Sequence, residues 1–329
     1  MVIGVADFAV QHAGFVSDCI PVSSWVYPEN KDHGFYDYAI ARDILAFFID
    51  YIGPYAYKKL ANVQSKTIFG GMENAGAIFY AEHTVNGQQT EERLIAHEIV
   101  HQWFGNMATE KSFAHFWLSE GFATYLTHIY LESKYGTDSL NKRMQEDRET
   151  VIDFVKSAKR PVVDSTPDYM RLLNANSYQK GGWVLHMLRR QLGDSIFKES
   201  IRQYYAAYAG KNADTKDLQR VFENVSGKNL ERFFQQWLYS PVNPSLHIMW
   251  KYNESDKRIL LEIMQKQENV TFNIPLEIEL TFVSGKKVSH TFNITRTNVY
   301  DLPVQEKVIS IKADPQTSLL FEGNVKELK

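Results

Sequence analysis

Between about residues 36 and 240, apolar positions recur three and four apart, in stretches such as "YDYAIARDILAFFIDYIG", "GFATYLTHIYLESKYG", "GGWVLHMLRRQLG" and "LERFFQQWLYS". That spacing lines one face of an α-helix, so one large helix-rich unit is predicted. It is interrupted at "SKTIFGGMENAGAIFYAE", where Gly70, Gly71 and Gly76 punctuate short β-favouring runs, and an extended section is expected there. After "YSPVNPS", which carries Pro241 and Pro244, the period drops to two in "SLHIMWKY", "RILLEIMQ", "LEIELTFV" and "VSHTFNIT", with turns such as "NESDK" and "SGKK" between. Short alternating runs joined by turns predict an antiparallel β-sandwich, with a boundary near Pro244. There is no internal repeat and no low-complexity segment.

Size agrees with this division, since 329 residues are too many for one ordinary core. The apolar fraction of 44% and charged fraction of 23% are those of a globular protein. A formal charge of −3 provides no general attraction to nucleic acid or anionic membrane. Cys19 is the sole cysteine, so any metal would be held by histidines and carboxylates rather than thiolates. No apolar run is long enough to span a bilayer; "ILAFFIDYIG" is short and contains Asp50. The start, "MVIGVADFAV", lacks the basic residues and cleavage site of a signal peptide. Asn224, Asn253, Asn269 and Asn293 stand in Asn-x-Ser/Thr triplets, which arise easily by chance, and the compartment stays open.

The chemistry concentrates in "LIAHEIVHQWFGN". His97 and His101 lie four apart, so on a helix they point from consecutive turns to one ion, with Glu98 beside them in reach of a metal-activated water. Alone, this pattern also fits a buried helix that happens to carry two histidines. A catalytic zinc needs a third protein ligand and an open position. Eighteen residues separate His101 from Glu120, in "FWLSEGFATYL", where Trp117, Leu118, Phe122, Tyr125 and Leu126 form apolar faces. Two antiparallel helices would bring Glu120 to the same ion, and a carboxylate in so apolar a helix is costly to bury unless paired or metal-bound. The alternatives are a surface glutamate and a local turn at "SEG". Read without context, Tyr178 is equally a packing aromatic and Glu73 a solvated turn residue.

His97, Glu98, His101 and Glu120, together with "GGMEN" at residues 70–74 and "SYQKGG" at 177–182, resemble the zinc aminopeptidase family of aminopeptidase N and leukotriene A4 hydrolase. The resemblance runs in order along the whole chain. It implies an α+β protein: a thermolysin-like, helix-rich zinc catalytic domain over 21–243, followed by an antiparallel β-sandwich over 244–329. It implies one zinc per chain held by His97, His101 and Glu120, with Glu98 as general base and Tyr178 donating a hydrogen bond to the tetrahedral oxyanion. Gly70, Gly71, Met72, Glu73 and Asn74 would form the strand lining the cleft, with Glu73 holding the free α-ammonium of a peptide. The second position of that motif is usually Ala and is Gly71 here; as both are small, the strand is still expected to approach the substrate.

In the family a β-rich domain precedes the catalytic one, and "VIGVADFAVQ" resembles only its last strand. Residues 1–20 are therefore expected to be a remnant of a missing N-terminal domain, with irregular pairing or an exposed apolar edge. The partners implied are peptides with a free amino terminus and that missing domain of the same polypeptide. Two competing readings are an epoxide hydrolase and a catalytically silent scaffold. A scaffold would have lost at least one of His97, Glu98, His101, Glu120 or Tyr178, and all five are present.

Overall fold

The structure, a computed structural model, describes residues 2–17 and 19–328. Met1, Asp18 and Lys329, the first two in the 1–20 segment and the last in the 244–329 segment, lie outside the described residues. Contacts divide the chain into two units, Met1–Leu140 with Val163–Glu231 and Asn141–Val162 with Arg232–Lys329.

In the first unit, β1 (Ala9–Val16) and β2 (Ile20–Val26) pair antiparallel, with a register shift between His12 and Gly14. Helices α1 (Lys31–Tyr38) and α2 (Ala41–Tyr51) then carry the chain across to β3 (Leu60–Ser65), which lies parallel to β2. With β4 (Gly71–Met72) and β5 (Ala77–Ala81) these strands form one mixed sheet in the order β1-β2-β3-β5-β4. β1 is its open edge, with Val10 and Phe15 exposed. Central β3 is buried on both faces, so its polar residues must be satisfied internally. The Tyr80 hydroxyl donates to Asn62 (3.3 Å), and Gln64 accepts from the Tyr27 amide (3.0 Å) while donating to the Glu82 carbonyl (3.3 Å). β2 escaped the pattern reading because "IPVSSWV" buries residues of both faces and shows no alternation.

The helical part of this unit contains α3 (Glu92–Val100), β6 (Ala108–Glu110) and α4 (Trp117–Tyr135). Helix α5 (Thr137–Ser157) leaves the unit, and α6 (Gly181–Leu192), α7 (Asp194–Tyr208), β7 (Lys211–Ala213) and α8 (Thr215–Ser226) complete it. Every residue of α4 from Trp117 to Leu131 is buried, so it is the core helix around which the others pack. The predicted apolar positions Trp117, Leu118, Phe122, Tyr125 and Leu126 are inside, and Ser119, Glu120, Thr124, Thr127 and His128 are buried with them. α6 packs on α4 through two glycines: a Cβ on Gly121 would lie 2.8 Å from the backbone carbonyl carbon of Gly181. The last segment of the unit is fixed by a capping box at the start of α8, where Asp214 accepts from the amides of Lys216 and Asp217.

The second unit groups α5, from Asn141, and α9 (Glu231–Leu238) with seven strands: β8 (Ser245–Asn253), β9 (Arg258–Gln265), β10 (Ile274–Phe282), β11 (Lys287–Ile294), β12 (Thr297–Pro303), β13 (Val308–Ala313) and β14 (Glu322–Glu327). These make a four-stranded sheet, β12-β9-β8-β14, and a three-stranded one, β11-β10-β13. All pairings are antiparallel except β14 with β8, which is parallel. The period of two places Leu246, Ile248 and Trp250, Ile259, Leu261 and Ile263, and Ile274, Leu276, Ile278 and Leu280 inside. The contact division is thus not one cut at 243/244. α9 joins the sheets because Trp237 meets the Phe272 ring at 5.2 Å and Gln236 bonds the backbone of Asn273. Among the described residues no helix is long and apolar enough to cross a membrane.

Candidate metal centre and its cleft

α3 and α4 run antiparallel, as their side-chain bonds show. At one end, Glu92, the first residue of α3, accepts hydrogen bonds from Tyr130 (2.7 Å), Lys134 (2.6 Å) and Tyr135 (2.5 Å) in the second half of α4. At the other, His101, the residue that caps α3 and retains helical dihedrals, meets Ser119 and Glu120 at the start of α4. The pairing brings ligand-type atoms of His97, His101 and Glu120 within 4.8 Å of one another. Oε2 of Glu120 lies 3.2 Å from Nε2 of His97 and 3.4 Å from Nε2 of His101, and the two Nε2 atoms are 3.2 Å apart. Nδ1 of His101 sits 3.1 Å from the Phe104 carbonyl oxygen. A carbonyl can only accept, so Nδ1 carries a proton, and Nε2 is the nitrogen that faces the other two groups.

The electrostatics follow from this crowding. Burial works to raise the Glu120 carboxyl, but the His101 charge and hydrogen bonds from both histidines outweigh it and hold it near about 2. Burial likewise works to lower His101, and the Glu120 carboxylate overcomes it, raising the imidazole to about 10. His97 is lowered, chiefly by burial. One carboxylate thus cannot keep both rings charged. Glu98 has no such partner: burial pushes its carboxyl up to about 8, opposed by His101 and reinforced by Glu73 and Glu120.

The opposite wall is the "GGMEN" segment. It runs along α3 in the same direction: a Cβ on Gly70 would meet Leu94 at 3.5 Å, one on Gly71 would meet Glu98, and the Glu73 carbonyl accepts from Gln102 (2.9 Å) and Asn106 (2.6 Å). Position 71 is tightly confined by the Glu98 side chain. A Cβ there would overlap Oε1 of Glu98 and lie 2.5 Å from its Cγ, so the glutamate occupies the space a methyl group would need. Gln102, 1% exposed, also accepts from the Gly76 amide (2.8 Å) and so holds both ends of the loop.

Tyr178 arrives from a third direction, on the π-helical turn Asn176–Lys180 that leads into α6. Its ring lies nearly parallel to that of His97, with centroids 6.1 Å apart. The backbone contact of Gly121 with Gly181 explains this placement, because Gly121 follows Glu120 and Gly181 follows the turn that carries Tyr178. Burial raises the phenol above its ordinary value, aided by the Glu120, Glu98 and Glu73 carboxylates, so it is a proton donor at neutral pH.

Together these elements enclose an open cleft of about 600 Å³. Gly70, Gly71, Met72, Glu73, His97, Glu98, His101, Glu120 and Tyr178 all line it. Asn74 does not; its amide groups turn back onto the Met72 carbonyl and tighten the loop. A groove of similar size in the second unit, between α5 and β13–β14, presents no histidine and no cluster of metal-ligating groups among the described residues. Sequence reasoning missed Gln102 and Asn106, which lie in the turns that follow α3 rather than on the helix, so no periodicity marks them. It also missed Glu92, whose partners lie roughly forty residues on.

Comparison with known proteins points to the same segment. The model of the peptidase family M1 domain matches residues 36–237. Aminopeptidase M1-C of Oryza sativa subsp. japonica is 28% identical over 81% of this chain, a match that spans 31% of the rice protein. Leucyl aminopeptidase of Saccharolobus solfataricus is 25% identical over 92% of this chain and 41% of its own length. Glutamyl aminopeptidase of Bos taurus is 29% identical over 78% of the chain and 29% of its own. The crystal structure of Legionella pneumophila aminopeptidase A in complex with aspartic acid superposes with a TM-score of 0.77 over 97% of this chain and 38% of that one, at 18% identity, which establishes a shared fold. The chain thus spans between about three tenths and two fifths of the length of these relatives.

Proposed function

The chain belongs to peptidase family M1, and from that premise we propose that its first unit is the catalytic part of a zinc-dependent aminopeptidase, one zinc per chain, acting on peptides with a free amino terminus. The observation that carries the proposal is the convergence of His97, His101 and Glu120 on one point beside Glu98.

The donor set fits zinc. Two imidazole nitrogens and one carboxylate oxygen within 4.8 Å, with the open cleft on the remaining side, supply three ligands and leave a position for solvent. The outward Nδ1 bond of His101 to the Phe104 carbonyl is the kind of support that keeps a ligand histidine in one tautomer. Magnesium and calcium prefer all-oxygen sites and suit this set poorly. What zinc supplies at such a site is Lewis acidity, which lowers the pKa of water toward ~7 and polarises a carbonyl.

The chain's own groups do the rest. Glu73 binds the substrate ammonium, held in place by Gln102 and Asn106 on its carbonyl. Its distance along the cleft from Glu98 sets which peptide bond is presented and makes the enzyme an exopeptidase. Glu98 accepts a proton from the attacking water and passes it to the departing amine. Tyr178 donates its phenolic hydrogen to the oxyanion, a bond that strengthens only as charge develops there.

Zinc content and hydrolysis of free and amino-terminally acetylated peptides by the wild type and Glu98→Gln test the reading. The wild type should hold zinc and cleave the free peptides alone, while Glu98→Gln keeps the metal and loses at least ~10²-fold in rate. Loss of zinc from Glu98→Gln, or equal cleavage of acetylated peptides, would refute it.

A further inference from the structure

We propose that Arg93 recognises a carboxylate on the leaving-group side of the scissile bond, so that the cleft favours peptides with an acidic group immediately after the bond cut. The inference rests on the aminopeptidase reading and adds a substrate class to it.

Its first support is the direction of α3. The "GGMEN" segment and α3 run alongside each other, with Gly70 at Leu94, Gly71 at Glu98 and Glu73 at Gln102 and Asn106. The ammonium end of a bound peptide is therefore at the C-terminal end of α3, and the reacting carbonyl is near His97 and Glu98. Substrate residues beyond the scissile bond must run toward the N-terminal end of the same helix. Arg93 is one turn beyond His97 in that direction and on the same helical face, about 6 Å along the axis at 1.5 Å per residue. It lines the cleft.

The second support is charge. Glu73, Glu91, Glu98 and Glu120 face the cleft, and Arg93 is the one Lys or Arg among the described residues that line it. Its neighbours leave the guanidinium available. Glu92 is turned away into its bonds with Tyr130, Lys134 and Tyr135, Glu91 accepts from the Thr90 hydroxyl at 3.2 Å, and no described carboxylate forms an ion pair with Arg93. The side chain is exposed at the mouth, long enough to reach a substrate group and planar enough to bind a carboxylate through two donors.

Two sources can supply that carboxylate: an Asp or Glu side chain after the scissile bond, or the free C-terminus of a dipeptide. Leu-Asp-amide against Leu-Asn-amide isolates the first, and Leu-Asn against Leu-Asn-amide the second. For an exposed pair the expected preference in kcat/KM is about 5-fold in at least one comparison, expressed in KM and shrinking at high salt. Arg93→Ala should abolish the ratio, and Arg93→Glu should invert it in favour of Leu-Lys-amide. A general loss of folding would lower all substrates together and leave ratios untouched. The same peptides titrated calorimetrically onto zinc-loaded Glu98→Gln protein supply an arm that needs no turnover. If no free peptide is hydrolysed by the wild type, the aminopeptidase reading fails and the titration still decides Arg93. Identical ratios in wild type, Arg93→Ala and Arg93→Glu would overturn the proposal.

Discussion

Each of the two units buries a carboxylate, and the two are treated in opposite ways. Asp314, in the second unit, is satisfied entirely by fixed donors: Nη2 of Arg148 at 2.5 Å, the Ser318 amide at 2.6 Å and the Leu319 amide at 3.3 Å. The same Arg148 atom donates to the Leu319 carbonyl (2.7 Å), and the guanidinium lies over the Phe321 ring. That is a closed cluster in which charge, hydrogen bonds and packing balance. Glu120, in the first unit, lies against the Tyr178 phenol and two imidazole nitrogens, and those nitrogens face one another at 3.2 Å. With Nδ1 of His101 committed to a carbonyl, it is Nε2 that converges with Nε2 of His97 and Oε2 of Glu120, and both rings must shed a proton there before they can offer a lone pair. A buried carboxylate alone therefore says little about function; what matters is whether its partners bring protons or electron pairs.

The largest effect should come from breaking the open cluster. Glu120→Ala removes one of the three proposed ligands and should abolish zinc binding and with it the proposed hydrolysis, while the metal-free protein stays folded. Asp314→Ala should keep the full zinc equivalent and instead cost about 2 kcal/mol of stability, because it removes the acceptor of the Arg148 guanidinium and of the Ser318 and Leu319 amides. Metal analysis and denaturant unfolding of both variants decide this. Zinc loss from Asp314→Ala, or full zinc retention in Glu120→Ala, would remove the distinction between the clusters.

Next in size is Tyr178→Phe, which tests whether the first unit's site also holds a proton donor outside the ligand set. It should lower kcat by ~10²–10³-fold with little change in KM and none in zinc content. Steady-state kinetics suffice, and an unchanged kcat would return the ring to packing against His97.

The contrast between the clusters also explains what could be read in the sequence. His97, Glu98 and His101 were legible because they are local: helix geometry alone places positions four apart on one face. Glu120 and the glycine-rich segment were legible through motif resemblance, and the sandwich through its period of two, which survives because each strand buries one face. Asp314 and Arg148 were not, since their bond spans 166 residues and each stands in an unremarkable polar stretch. Gly121 and Gly181 were visible as letters, but their role depends on a helix crossing that no local pattern encodes. The parallel pairing of β14 with β8 was hidden for a related reason, as alternation specifies which face is buried and not the direction of the neighbour.

The smallest effect should come from Glu92, a closed cluster in the unit that also holds the open one. Its carboxylate receives three hydrogen bonds from α4 and sits in the first turn of α3, where a negative charge complements the helix dipole. Burial works to raise its pKa, but the bonds from Lys134, Tyr135 and Tyr130 prevail and the net shift is downward. A carboxyl lowered on folding contributes stability that is fully present above its unfolded value of 4.5 and is lost as pH falls through the lower folded value. Glu92→Gln keeps the shape and some hydrogen bonding but not the charge, so it should cost about 1 kcal/mol at neutral pH. The cost should vanish under acid, where the wild-type carboxyl is also protonated, which a comparison of unfolding at neutral pH and in acid below the lowered folded value would reveal. Because Glu92 ties α3 to α4 at the end remote from the ligands, a small weakening of zinc affinity should accompany the loss. If Glu92→Gln is equally destabilising at both pH values, the contribution is packing rather than charge, and Glu92 does not belong with Asp314 among the clusters whose charge is matched by the protein alone.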